Sequence, residues 1–120
     1  MSHHCQAIVV CCIDFRFQKY IQKWTEENIK DQCFDLVGLA GSTKDLDTIL
    51  KQIDISVQLH HICQVVLIHH EECGAYGAES TLENHTIDLL KAKSAILDRY
   101  PQLDISLYYL KLSGEFTPIQ

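Results

Sequence analysis

No stretch of this sequence is apolar for long enough to cross a membrane as a helix. The longest uninterrupted apolar run, Ala7 to Ile13, has seven residues, far short of the roughly 20 a spanning helix requires. It also stands too near Met1 to follow the basic region of a signal peptide, which points to a soluble, cytoplasmic protein. Basic residues are in the minority, ten Lys plus Arg against sixteen Asp plus Glu for a net charge of -6. They are scattered rather than gathered into a run, which argues against nucleic acid as a partner. Repeats, low-complexity tracts and linkers are lacking too, and 120 residues leave room for one core, since a domain takes roughly 100 to 150 residues. A single domain over residues 1–120 is expected. Apolar residues at 47% and charged residues at 22% lie near the globular averages of about 45–50% and about 25%, so disordered, collagen-like and coiled-coil classes fit poorly. Six cysteines in a chain with no targeting segment read as reduced thiols or metal ligands rather than a disulfide frame, so their spacing becomes informative.

Gln6 to Cys12 and Cys63 to His69 are short, continuous apolar runs rich in β-branched residues, the pattern of strands buried on both faces of a parallel sheet. Cys33 to Leu39 and Asp104 to Leu112 supply two more strands. Between the first two in sequence, Phe17, Tyr20, Ile21 and Trp24 fall at helical spacing. After Gly41, Ser42 with Asp45 three positions on predicts a capped helix start, followed by Leu46, Ile49, Leu50, Ile53 and Val57 with helical period. A later helix carries Thr86, Leu89, Leu90, Ile96, Leu97 and Tyr100 on one side and must stop at or before Tyr100, because Pro101 disfavours helical geometry in the residue before it. Ser113-Gly114 predicts a turn into Phe116 and Thr117, giving an antiparallel edge hairpin. Alternating strands and helices predict an α/β fold, a mainly parallel sheet with helices on both faces.

In such sheets ligands bind beyond the carboxyl ends of the strands, where strand order reverses; for the order 2-1-3-4 that point lies between the first and third strands. The residues just past those strands are Cys12-Ile13-Asp14-Phe15-Arg16 and His70-Glu71-Glu72-Cys73-Gly74. Two thiols and an imidazole therefore converge. Zinc favours this donor set, and three protein ligands with one open position is its catalytic arrangement. A His-x-x-Cys spacing lets a tight loop turn His70 and Cys73 onto one ion while Cys12 reaches it from the neighbouring strand. His69 competes for the metal but lacks that register. If extended geometry persists past the first strand, residues 12, 14 and 16 share one face, so that Asp14 approaches the metal and Arg16 reaches Asp14. A carboxylate pinned by a guanidinium can orient a water molecule for proton transfer. It could instead bind the metal directly and close the site.

Cys-x-Asp-x-Arg followed some 55 residues later by His-x-x-Cys-Gly resembles the beta-class carbonic anhydrases, and most of all a compact branch of that family. The likeness runs from about Gln6 to Thr117: Leu36 to Ser42 is similar to the family's second strand and its Ala-Gly loop, and Tyr108 to Phe116 to its last strand and turn. The resemblance implies Zn²⁺ held by Cys12, His70 and Cys73, with Asp14 and Arg16 as the catalytic dyad. It implies the sheet order 2-1-3-4, an active site at a dimer interface, and reversible hydration of carbon dioxide to bicarbonate by a zinc-bound hydroxide. Carbonyl sulfide or carbon disulfide, hydrolysed by relatives on this scaffold, are alternative substrates. A non-catalytic zinc protein with Asp14 as permanent fourth ligand is the reading from another class. A homodimer or homotetramer is expected, because the apolar last strand (Ile105, Leu107, Tyr109) has an edge to cover.

The remaining polar and aromatic residues take simpler readings. Strand alternation turns Cys11 away from Cys12 and toward the helices as a packed thiol. Cys5, Cys33 and Cys63 lie near strand starts, away from the site. His60 and His61 end a helix, where a cation is favoured. Glu71 and Glu72 read as solvated carboxylates, with proton relay as the functional alternative. Tyr76 is left open between pocket entrance and core. Phe15 is a candidate apolar wall, and Phe17 belongs to the core with Tyr20.

Overall fold

All five residues of β1 (Ala7–Cys11) are buried, as a continuous apolar run requires when both faces of a strand are covered. The computed structural model describes residues 3–120. β2 (Phe34–Gly38) and β3 (Gln64–His70) flank β1 in parallel, β4 (Asp104–Leu110) pairs parallel with β3, and β5 (Phe116–Ile119) closes the sheet antiparallel to β4. The order is β2-β1-β3-β4-β5, the expected 2-1-3-4 with its edge hairpin. Lys111 and Glu115 close the hairpin turn. Gly114 sits there at φ +95°, with the Tyr20 ring so close that a Cβ would lie 2.6 Å from Tyr20 Cε1.

Alternation along each strand divides the core in two. Ala7, Val9 and Cys11 join Val66, Ile68 and Leu110 against Phe17, Ile21 and Ile29, which belong to α1 (Gln18–Asn28) and its flanks. Ile8 and Val10 join Val65, Leu67 and Leu107 on the opposite face, under α2 (Leu46–His60) and α3 (Leu82–Arg99). Cys11 thus packs beneath α1 as a buried thiol, where burial raises its pKa to about 11. None of the six cysteines forms a disulfide. Among the described residues no helix is long and apolar enough to cross a membrane.

Four details depart from the sequence reading. Ser42 does not cap α2: it stands at φ +57° in the turn after β2, and Asp45 caps instead, accepting the Thr48 N–H at 3.4 Å and its hydroxyl at 2.8 Å. The buried face of α3 is His85, Leu89, Ala92 and Ile96, spaced 4, 3 and 4, and Leu90 is 42% exposed. Apolarity alone had pointed to Leu90, but a histidine takes the buried position. β3 runs one residue further than its apolar run and includes His70, which pairs with Leu110. Finally, the edge of β4 needs no second subunit, because β5 of the same chain covers it from Leu107 to Leu110.

Candidate metal centre

β1 and β3 lie side by side in parallel, with Val10 opposite Leu67, and β3 runs on to His70, so Cys12 and the turn after His70 meet at the carboxyl edge of the sheet. Cys12 Sγ, a ring nitrogen of His70 and Cys73 Sγ all lie within 4.8 Å of one another, and all three residues are buried, between 2% and 7% exposed. Glu72 makes the turn possible by adopting φ +56°. His69, the competing ligand in the sequence, points elsewhere.

Hydrogen bonding fixes which nitrogen His70 offers. Nδ1 stands 2.7 Å from the Glu71 carbonyl, which can only accept, so Nδ1 carries the proton and Nε2 carries the lone pair. Nε2 is fully buried and has no hydrogen-bond partner. A buried polar atom without a partner costs roughly 1–3 kcal/mol, and here two sulfurs lie within 4.8 Å of the ring's ligand atom. The Phe17 ring stacks on the imidazole with centroids 4.2 Å apart, which holds the plane of the ring. Burial pushes the Cys12 thiol up, but the adjacent His70 ring and the backbone N–H groups of Gly41 and Asp14 outweigh it and bring the thiol down to about 7. Two sulfurs, one of them readily ionised, and one oriented imidazole nitrogen fit a tetrahedral zinc with one position left over.

Asp14 and Arg16 do come together, though by a different route from the one expected. Extended geometry stops at Asp14, and Phe15–Phe17 form a single 3₁₀ turn that Asp14 caps, accepting the Arg16 N–H at 2.9 Å. The turn swings the guanidinium back, so that Arg16 Nε and Nη2 donate to Asp14 at 3.1 and 2.7 Å. Those bonds hold the Asp14 carboxyl at about 2, well below the usual carboxylate range. Asp14 Oδ2 lies 3.9 Å from His70 Nε2. Gln18 secures the loop by donating to the carbonyls of Cys12 and Asp14, both at 3.0 Å.

Glu72 is less passive than a solvated carboxylate. Its carbonyl accepts from Arg16 Nη2 at 3.0 Å, and its Oε1 lies 3.4 Å from Nη1. Arg16 therefore ties the loop after β1 to the loop after β3. Glu71 does structural work, accepting the Leu112 N–H at 2.8 Å.

Beside Asp14 opens an apolar cleft of about 390 Å³, lined by Ile13, Phe15, Ala40 and Ala75. Phe15 is 85% exposed at its mouth, as suits a wall residue, whereas Phe17 is in the core. Tyr76 is buried behind Cys12 and Cys73 and donates to Asp88. Behind the cluster lies a polar pair that no spacing in the sequence signals: His69 and His85, 1% and 0% exposed, with Nδ1 atoms 2.8 Å apart. Burial above all lowers them to about 3 and about 4, so both rings are neutral near pH 7.

The comparisons agree with this architecture. The family model described as "Putative carbonic anhydrase" matches residues 2–120. An uncharacterized protein of Rickettsia bellii is 30% identical over 126 residues, covering 89% of this chain and 77% of that protein. Among solved structures, a carbonic anhydrase from Streptococcus mutans superposes with a TM-score of 0.72 at 16% identity, covering 99% of this chain and 84% of that one. The tetrameric beta-carbonic anhydrases of Sordaria macrospora give 0.71 at 12% identity, covering 98% and 82%.

Proposed function

The chain belongs to the putative carbonic anhydrase family, and from that premise we propose that it hydrates carbon dioxide reversibly to bicarbonate, with zinc held by Cys12, His70 and Cys73. The observation that carries the reading is the buried, partnerless Nε2 of His70 between two sulfurs, with an ionised carboxylate 3.9 Å away. Bound zinc supplies a Lewis acid that lowers the pKa of water toward neutrality. Asp14, held ionised by Arg16, accepts a hydrogen bond from the nucleophilic water and fixes which way its remaining lone pair points. Arg16 serves as a positioning residue, and the Glu72 carbonyl keeps the guanidinium from swinging away. Ile13, Phe15, Ala40 and Ala75 offer a small uncharged substrate an apolar resting place. The same walls disfavour an anion, because charge is costly to hold against apolar surface, so bicarbonate is driven out.

A second reading has its own observation. The 3.9 Å between Asp14 Oδ2 and His70 Nε2 is close enough for Asp14 to become a fourth ligand, which would make the zinc structural. Metal content and stopped-flow carbon dioxide hydration on one preparation separate the two. We expect one zinc per chain and hydration above the buffer rate between about pH 7 and 9. Zinc at that stoichiometry without hydration anywhere in the range would end the enzymatic reading.

We propose a cytoplasmic location, which the six free thiols support, and assembly as a homodimer or homotetramer. Assembly draws support from the apolar side chains left in water at the cleft mouth and on the outer strand, Ile13, Phe15 and Leu36, at 63%, 85% and 58% exposure. Light scattering at micromolar concentration should return a multiple of the chain mass; a monomer would contradict it.

A further inference from the structure

Burying two imidazoles is costly unless every ring nitrogen finds a partner, and around His69 and His85 each one does. The direction of those bonds follows from one donor that cannot reverse. The backbone N–H of Thr43 points at His69 Nε2 at 3.4 Å, and the Thr43 hydroxyl lies 2.7 Å from the same nitrogen. A main-chain N–H only donates, so Nε2 of His69 accepts and the ring proton sits on Nδ1. That proton is given to Nδ1 of His85 at 2.8 Å. His85 must then carry its own proton on Nε2, which donates to Ser80 Oγ at 2.9 Å. Ser80 Oγ also accepts the backbone N–H of Cys73 at 2.9 Å. The donors run from the turn after β2, through the end of β3 and the first turn of α3, to Ser80 Oγ, which accepts from His85 on one side and from the main chain of a cluster cysteine on the other.

We propose that His85 is a positioning residue of the metal centre, acting through Ser80 on the Cys73 main chain and held in its tautomer by His69 and Thr43. The proposal rests on the zinc site assigned above, though not on its activity. Cys73 follows a residue in the left-handed region and ends a turn with no regular structure of its own. Among the described residues its N–H has no other acceptor, so Ser80 decides how the peptide is rotated and where the sulfur aims. Ser80 precedes α3 and is only partly buried, so its hydroxyl needs His85 to fix its rotor. Supporting hydrogen bonds of this kind are worth about 10- to 100-fold in metal affinity.

The test uses the whole chain and reads zinc affinity by chelator competition, together with the visible spectrum of the cobalt-substituted protein. His85→Phe removes both nitrogens but keeps a flat ring, and should weaken zinc binding by about 10- to 100-fold and shift the cobalt bands. Ser80→Ala, a milder change that should not threaten folding, should cost the same. The double variant should be no worse than either single one, because both cut one chain. His85→Gln places a donor where Nε2 stood and should restore affinity, whereas His85→Asn, which mimics only the Nδ1 side, should not. Unchanged affinity in Ser80→Ala, additive losses in the double variant, or rescue by Asn rather than Gln would each overturn the proposal. A protein that shows this graded zinc binding without carbon dioxide turnover would overturn the activity and still support the positioning role.

Discussion

Cys12→Ala protein should elute from desalting with no zinc and hydrate carbon dioxide no faster than buffer. The loss should exceed the roughly 10- to 100-fold cost of losing a supporting hydrogen bond, because a bond to the metal itself is gone. Cys12 is the only member of the cluster contributed by the loop after β1, and Asp14, the other donor on that loop, is held by Arg16. Cys11, its neighbour, faces the opposite side of the sheet beneath α1. A second readout is independent of turnover. A ligand that binds only the folded state stabilises it by about 2.7 kcal/mol at a hundred times its dissociation constant, so zinc should raise the melting temperature of the wild type and leave that of Cys12→Ala where it was. Full zinc occupancy in the variant would mean that the ion, if bound, sits elsewhere.

Asp14→Asn should keep one zinc per chain while turnover falls by about 10²- to 10⁴-fold, the usual worth of a positioned general base or acid. The substitution preserves shape and removes charge. Arg16 would then face a neutral amide, and the water would lose the ionised acceptor that orients it. Because Arg16 holds the wild-type carboxyl at about 2, Asp14 stays charged at every pH at which the enzyme would be assayed. Its charge, and any stability its ion pair contributes, is lost only as pH falls from the ordinary carboxylate range, near 4, toward that lower value. A decline of wild-type activity near pH 7 must therefore arise from another group. If wild type shows no turnover and Asp14→Asn simply loses zinc, Asp14 is a ligand and the metal is structural.

The parts of this molecule that the sequence disclosed are those governed by continuous apolarity and fixed spacing. β1 and β3 were legible because strands covered on both faces have little room for polar residues, and the cluster was legible because Cys12 and the His70-x-x-Cys73 turn follow those two strands directly. What escaped notice depends on polar groups that carry no period. A histidine is not read as core, so the inward face of α3 was read with Leu89 and Ile96, which are buried, and with Leu90, which is not, but without His85, and the whole His69–His85–Ser80 chain was missed. Asp14 and Arg16 were paired correctly for an incorrect reason, since a 3₁₀ turn capped by Asp14 does what a prolonged strand was expected to do. Glu72 looked like one more solvated charge because its contact with Arg16 joins residues that are distant along the chain.

The residues proposed to hold the ion come from the ends of two strands that meet only when the middle of the sheet closes. A nascent chain that has paired β1 with β2 holds Cys12 and neither of the other two proposed ligands, and metal uptake would wait until β3 and the turn beyond it have left the ribosome. Capture of zinc and the joining of β1 to β3 then reinforce each other, so starving a cell of the metal should lower the amount of folded protein as well as the fraction that works.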